Sequence, residues 1–165
     1  SGGAGGGGEP ARRREGAGRY MEGGGGAGTV GGCVSDHTPG GEEARNLPLA
    51  EAESGATGLE LLLGLALKWG QESGLGLPRV LAVLTSEPAR VLGAALGTLQ
   101  ASAGQLVQGG IADVCVVDPN SQWTVTADAL RSQGKHTPFS GYELPARVRC
   151  TIVAGQVAFE GWDRA

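Results

Sequence analysis

"CVSDHTPGGEEARNLP", residues 33–48, decides how the rest of the chain is read. An Asp-His pair followed by Thr-Pro sets a carboxylate and an imidazole at a backbone corner, because a residue before proline is pushed out of helical geometry. Asp36 is the candidate acid/base of such a corner, and a plain strand-end turn is the alternative that carries no chemistry. Glu42 and Glu43, just beyond it, read as a solvated acidic loop.

The segment before the corner is of another kind. Residues 1–32 contain 15 of the chain's 32 glycines and almost no bulky apolar side chain. A segment with so little to bury cannot offset its ordering entropy, so it is expected to be disordered. Arg12, Arg13 and Arg14 are consecutive and Tyr20 is the one aromatic residue there, unlike the interleaved Arg, Gly and aromatic pattern of RNA-binding tails, so no nucleic-acid partner is expected. The whole chain of 165 residues has a net charge of −4 and is 40% hydrophobic, ordinary values for a soluble domain. No apolar run of 18 residues and no charged-then-apolar leader is evident, so neither a membrane span nor a secretory signal is expected. Cys33, Cys115 and Cys150 form no C-x-x-C pair and read as reduced, buried small hydrophobes of a cytoplasmic protein.

After the corner the hydrophobic period changes twice. In "TGLELLLGLALKWGQ" (57–71), Leu59, Leu62, Leu63, Ala66 and Trp69 recur at three and four residues and Leu61, Leu65 and Leu67 widen that face, predicting a nearly buried helix capped by Thr57. "PRVLAVLT" (78–85) predicts a second helix opened by Pro78, and "SEPARVLG" (86–93) a third with Ser86 as N-cap and Gly93 as its stop. After Gly97 the pattern becomes β-rich. A strand in "GIADVCVVDP" ends at Asp118-Pro119, "WTVT" is another short strand, and "RVRCTIVAGQVAFE" (147–160) is a hairpin about Ala154-Gly155. Its Arg147, Arg149 and Thr151 share one face, and Val148, Cys150 and Ile152 the other.

Five blocks, "SDHTP" from Ser35, "AEAESGATGLELLL" from Ala50, "LTSEPARVLG" from Leu84, "GGIADVCVVDP" from Gly109, and "SQGKHTPFSGYEL" with "VRCTIVAGQVAFE", resemble in order and spacing the carboxy-terminal third of dihydroorotase. Dihydroorotase belongs to the amidohydrolase superfamily and acts in pyrimidine biosynthesis. The resemblance implies an α/β fold: residues 33–96 as the end of a (β/α)8 barrel and residues 97–165 as part of a small β-sandwich, behind the disordered head at 1–32. Ser35-Asp36 would then close the eighth barrel strand, at the rim where catalytic residues of this fold collect.

The same resemblance implies roles. In the family this aspartate lies beside one or two divalent metals, usually zinc, takes a proton from the attacking nucleophile and returns it to the departing ring nitrogen, interconverting dihydroorotate and N-carbamoyl-aspartate. Asp36 inherits both the catalytic and the metal role. Gly40 stands where active relatives have a histidine that binds the substrate carboxylate, so that charge-assisted contact is expected to be missing. Ser54 and Gly55 occupy the place of the substrate-touching loop. The remaining metal ligands of the family would lie upstream of the matched blocks, and neither His37 nor His136 replaces them. An alternative within the resemblance is a non-catalytic dihydroorotase-like subunit that binds aspartate transcarbamoylase, a reading that Gly40 favours. A hydantoinase or allantoinase relative is a third, against which "GLELLL" combined with "TPFSG" argues.

Overall fold

The computed structural model describes residues 31–40 and 55–161. The Gly-rich head up to residue 30, the acidic pair Glu42 and Glu43, and Ser54 lie outside the described residues. Helices come first and strands second, as the change of period predicts. A 3-10 turn over Leu59–Leu61 runs into helix α1, Leu62–Glu72; α2 spans Leu77–Ala82 and α3 Ser86–Leu92, followed by 3-10 turns over Gly93–Ala101. Strands β1 (Val114–Thr124), β2 (Glu143–Val153) and β3 (Gln156–Glu160) form one antiparallel sheet in the order β1-β2-β3.

The hairpin forms where its turn residues require. Ala154 and Gly155 both adopt positive φ, 49° and 80°, the geometry that matches the twist of a two-residue connection. Asp113 fastens the turn from outside, its carboxylate accepting the Ala154 N–H at 2.7 Å. The expected break at Asp118-Pro119 is absent as a break: β1 continues to Thr124, and pairing with β2 slips between Asp118 and Gln122. Proline has no N–H to give the ladder, and the strand accommodates it as a bulge instead of ending. Opposite that irregularity Ala146 takes φ 70°. The Arg149 guanidinium grips Asp118 across the bulge at 2.9 Å.

Helix α1 packs on β2, and the packing face differs from the expected leucine stripe. Leu59 is 63% exposed, whereas Leu61, Ala66 and Leu67 are buried, with Gly64 and Gly70 buried between them. The contact face is therefore Leu61, Gly64, Leu67 and Gly70, spaced by three. A Cβ on Gly64 would lie 3.0 Å from the Leu144 Cβ, and one on Gly70 would collide with the Val80 side chain. Glycine is thus the surface against which β2 and α2 approach. Two adjoining cores result, one of Leu61, Val125, Leu130 and Leu144, the other of Ala66, Leu67, Val80 and Ala146.

Four further expectations change. Thr57 caps no helix. Ser86 opens α3, but the cap position is Thr85, whose hydroxyl turns back to the Leu81 carbonyl at 2.8 Å. Cys150 is buried and Cys33 half-buried, while Cys115 is exposed, so the buried-hydrophobe reading does not extend to it. Leu77–Ala101 is, by length and mean hydropathy (1.3), apolar enough to cross a membrane, contrary to the expectation of no such run. Its backbone is not one helix, however: it turns at Val83–Thr85 and reverses φ at Gly93 (48°) and Gly97 (56°).

Replacing Gly70 with alanine is expected to destabilise the fold by about 1–3 kcal/mol in urea unfolding, because β-branched Val80 has little freedom to move aside. Combining it with Val80→Ala should return part of the loss, and strict additivity of the two would contradict this packing account.

Candidate functional site

Residues 33–40 run as irregular chain, without the expected barrel strand. A parallel barrel strand needs a hydrogen-bonded neighbour on each side, and the described residues supply none. The segment is tied down at points. The Cys33 N–H donates to the Val83 carbonyl and the Thr38 N–H to the Ala56 carbonyl, both at 3.0 Å. Between these ties Asp36 adopts φ 49°, a left-handed conformation that aspartate tolerates better than most residues. The Thr38 hydroxyl closes the corner by donating to the Asp36 carbonyl at 3.1 Å. The aspartate is exposed.

Two other segments meet this corner, residues 55–58 ("GATG") and 134–137 ("GKHT"). Thr57 is fully buried, donates its N–H to the His136 carbonyl at 2.8 Å, and gives its hydroxyl to the Gly134 carbonyl. Glycine again permits the approach. A Cβ on Gly58 would stand 2.6 Å from the Ser35 carbonyl oxygen, one on Gly134 would stand 2.8 Å from the Pro39 Cβ, and one on Gly55 would strike the Thr38 carbonyl oxygen. Gly55 itself lies at φ 151°, where side-chain-bearing residues are rare. Gly40, half-buried, reaches the same place: its carbonyl oxygen is 3.3 Å from where a Gly134 Cβ would be.

Of the expected site residues, Asp36 and Gly40 lie on the corner, Gly55 packs against it at Thr38, and Ser54 lies outside the described residues. Sequence reasoning gave His37 no more than an orienting or packing place beside Asp36, without its partners, and missed Glu60. His37 Nδ1 accepts the N–H groups of Gly58 (3.1 Å) and Leu59 (3.2 Å), supplying the helix cap that Thr57 does not. Glu60 reaches across to the loop before Gly134, its carboxylate accepting the N–H groups of Arg131 and Ser132, each at 2.8 Å, and the Ser132 hydroxyl at 2.7 Å. The glycines at 58 and 134 were the available signal, since a glycine amid ordered residues marks close backbone approach.

As a metal centre these residues do not fit. Asp36 is exposed, the Nδ1 of its neighbouring imidazole is engaged by two backbone amides, and among the described residues no three His, Cys, Asp or Glu side chains converge. What the corner can do is present one carboxylate at a fixed backbone position.

The Glu60 carboxylate is held charged by the loop it meets. Partial burial works against its ionisation, but the Arg131 N–H and the hydroxyl and N–H of Ser132 outweigh this and hold the carboxyl below its ordinary 4.5. A depressed carboxyl adds stability that is fully present above that ordinary value and is lost as pH falls through the folded-state value. The melting-temperature difference between the unmodified chain and Glu60→Gln should therefore be steady from about pH 7 to 5 and narrow towards pH 3. A difference that widens on acidification would contradict this assignment.

Comparison with known proteins gives the site a context. A scan against models of protein families finds no match. Among curated proteins, the chain is 37% identical over 133 residues to a dihydroorotase of Geobacter metallireducens, covering 81% of this chain and 30% of that protein. It is 39% identical over 134 residues to a "dihydroorotase-like protein" of Pseudomonas aeruginosa, with the same coverage. The chain thus spans about 30% of the length of the curated relatives it matches. Among solved structures it superposes on a D-hydantoinase (dihydropyrimidinase) from Thermus sp. with TM-score 0.74 and 21% identity, over 86% of this chain and 31% of that one. An L-hydantoinase from Arthrobacter aurescens aligns at TM-score 0.58 and 32% identity, over 68% of this chain and 24% of that one. The curated homologues are named for dihydroorotase and the structural neighbours are hydantoinase amidohydrolases, so the chain has the fold of a part of such proteins.

Proposed function

We propose, from its homology with proteins named dihydroorotase, that this chain is the carboxy-terminal part of a cyclic-amide hydrolase that interconverts dihydroorotate and N-carbamoyl-aspartate. The observation that carries the reading is that homology, and the corner, with an exposed Asp36 in left-handed geometry where the helical and β segments meet, is the site it assigns to the chemistry. Backbone strain of this kind persists only where surrounding contacts over-determine it, and it clusters at functional sites.

Opening a cyclic amide requires water to add to the ring carbonyl and a proton to reach the departing nitrogen. One carboxylate can serve both steps, accepting the proton of the attacking water and donating it as the carbon–nitrogen bond breaks. Asp36 is assigned that shuttle. Gly55 and Ser54 would face the ring through their backbones, and Gly40 leaves the substrate carboxylate without the histidine contact that active relatives have. Residues 33–96 would complete a barrel supplied by upstream sequence, with 97–165 as one side of a β-sandwich, in a cytoplasmic protein. Zinc would depend on that upstream sequence for its ligands. The alternative of a scaffold for aspartate transcarbamoylase finds no support in the comparisons.

In the full-length protein assayed with dihydroorotate, Asp36→Asn is expected to lower kcat by roughly 10²–10⁴-fold, the usual contribution of a positioned acid/base. A loss below about threefold would remove Asp36 from the chemistry. The 165-residue chain alone is expected neither to retain stoichiometric zinc nor to hydrolyse dihydroorotate, and elemental analysis finding one tightly held zinc per chain would overturn that expectation.

A further inference from the structure

We infer that His37 is a positioning residue for Asp36: its Nδ1, by accepting the Gly58 and Leu59 amides, locks the aspartate's corner to the start of the helical segment. The inference rests on the hydrolase reading for what Asp36 does, and on the geometry alone for how it is held.

Among the described residues, the corner 33–40 has no strand ladder to fix it. Its backbone ties are at Cys33 and Thr38, and the Thr38 hydroxyl is spent within the corner on the Asp36 carbonyl. The bond from His37 crosses 21 residues of sequence to the facing segment and leaves from the residue next to Asp36. It therefore adds a long-range tie at the residue next to Asp36, beside the Thr38 hydroxyl on the Asp36 carbonyl and the Thr38 N–H on the Ala56 carbonyl.

The receiving end is built for this acceptor. A helix start leaves its first N–H groups without intrahelical partners, and a Ser, Thr, Asp or Asn at the cap ordinarily satisfies one. Gly58 has no side chain to do so, and no local side-chain cap is made at the 3-10 turn it precedes. A side chain there would drive into the Ser35 carbonyl at 2.6 Å and expel the corner. Gly58 and His37 thus act as a pair: the glycine admits the corner, and the imidazole satisfies the amides that the glycine leaves open. An Nδ1 that accepts carries no proton, so the neutral tautomer protonated at Nε2 is the one that serves.

Asparagine reproduces the acceptor, because its Oδ1 is as many bonds from Cβ as the histidine Nδ1, whereas the glutamine oxygen lies one bond farther out. Three variants of the full-length protein, His37→Asn, His37→Gln and His37→Ala, would be assayed with dihydroorotate and followed by amide hydrogen exchange at Gly58 and Leu59. The glutamine and alanine variants are expected to lose roughly 10- to 100-fold in kcat with KM within about twofold, the scale of a displaced catalytic group. The asparagine variant should recover to within about threefold of the unmodified enzyme and keep both amides protected. Asparagine no better than glutamine would overturn the inference, as would equal protection of both amides in all variants. An unmodified protein without turnover would remove the hydrolase reading, and the exchange pattern would still decide whether His37 holds the corner.

Discussion

Thr57 is the point on which the described structure depends. It is fully buried, and both its polar groups end on carbonyls of one loop, the N–H on His136 and the hydroxyl on Gly134. A buried polar group without a partner costs about 1–3 kcal/mol, so these bonds permit little displacement of the helix start relative to the β segment. The corner that carries Asp36 attaches to the same place through the Thr38 N–H and His37. The helix start, the loop before β2 and the corner thereby meet within residues 56–59.

Close approach at that point depends on what is missing from three side chains. Gly55, Gly58 and Gly134 each face an atom that a Cβ would strike. The same device recurs under α1, where Gly64 meets Leu144 and Gly70 meets Val80. These glycines weaken local helix propensity by about 1 kcal/mol each relative to alanine. The burial of Leu61, Leu144 and Val80 around them offsets that cost, since each large aliphatic residue removed from water contributes about 1.5–3 kcal/mol. Packing overrides propensity here, and the stripe of Leu59, Leu62, Leu63, Ala66 and Trp69 read from spacing assigned Leu59 to the core although it is exposed.

The order of elements was legible in the sequence, because period and punctuation are local properties. Pro78 lies in the first turn of α2, Gly93 ends α3 and Gly155 turns the hairpin as their own backbone preferences require, while Ala154 takes a positive φ that its side chain disfavours. The long strand β1 was not legible, since Pro119 stops a strand only when its partner cannot bulge, and the partner is β2. The cap of the first helix was misread for a similar reason. Thr57 has the right residue type for a cap, but its hydroxyl is drawn to Gly134, 77 residues away, and His37 takes the vacant role.

The candidate site divides in the same way. Sequence by itself determined that a carboxylate sits at a proline-fixed corner and that the blocks around it follow the order found in dihydroorotase, because motifs are runs of residue types along the chain. Only the tertiary structure decided that the corner is irregular chain with Asp36 in left-handed geometry, that a histidine beside it serves the helix, and that Glu60 is held ionised by a loop over seventy residues distant. Those facts arise from hydrogen bonds between segments remote in sequence, and no local pattern encodes which donor a given acceptor will meet.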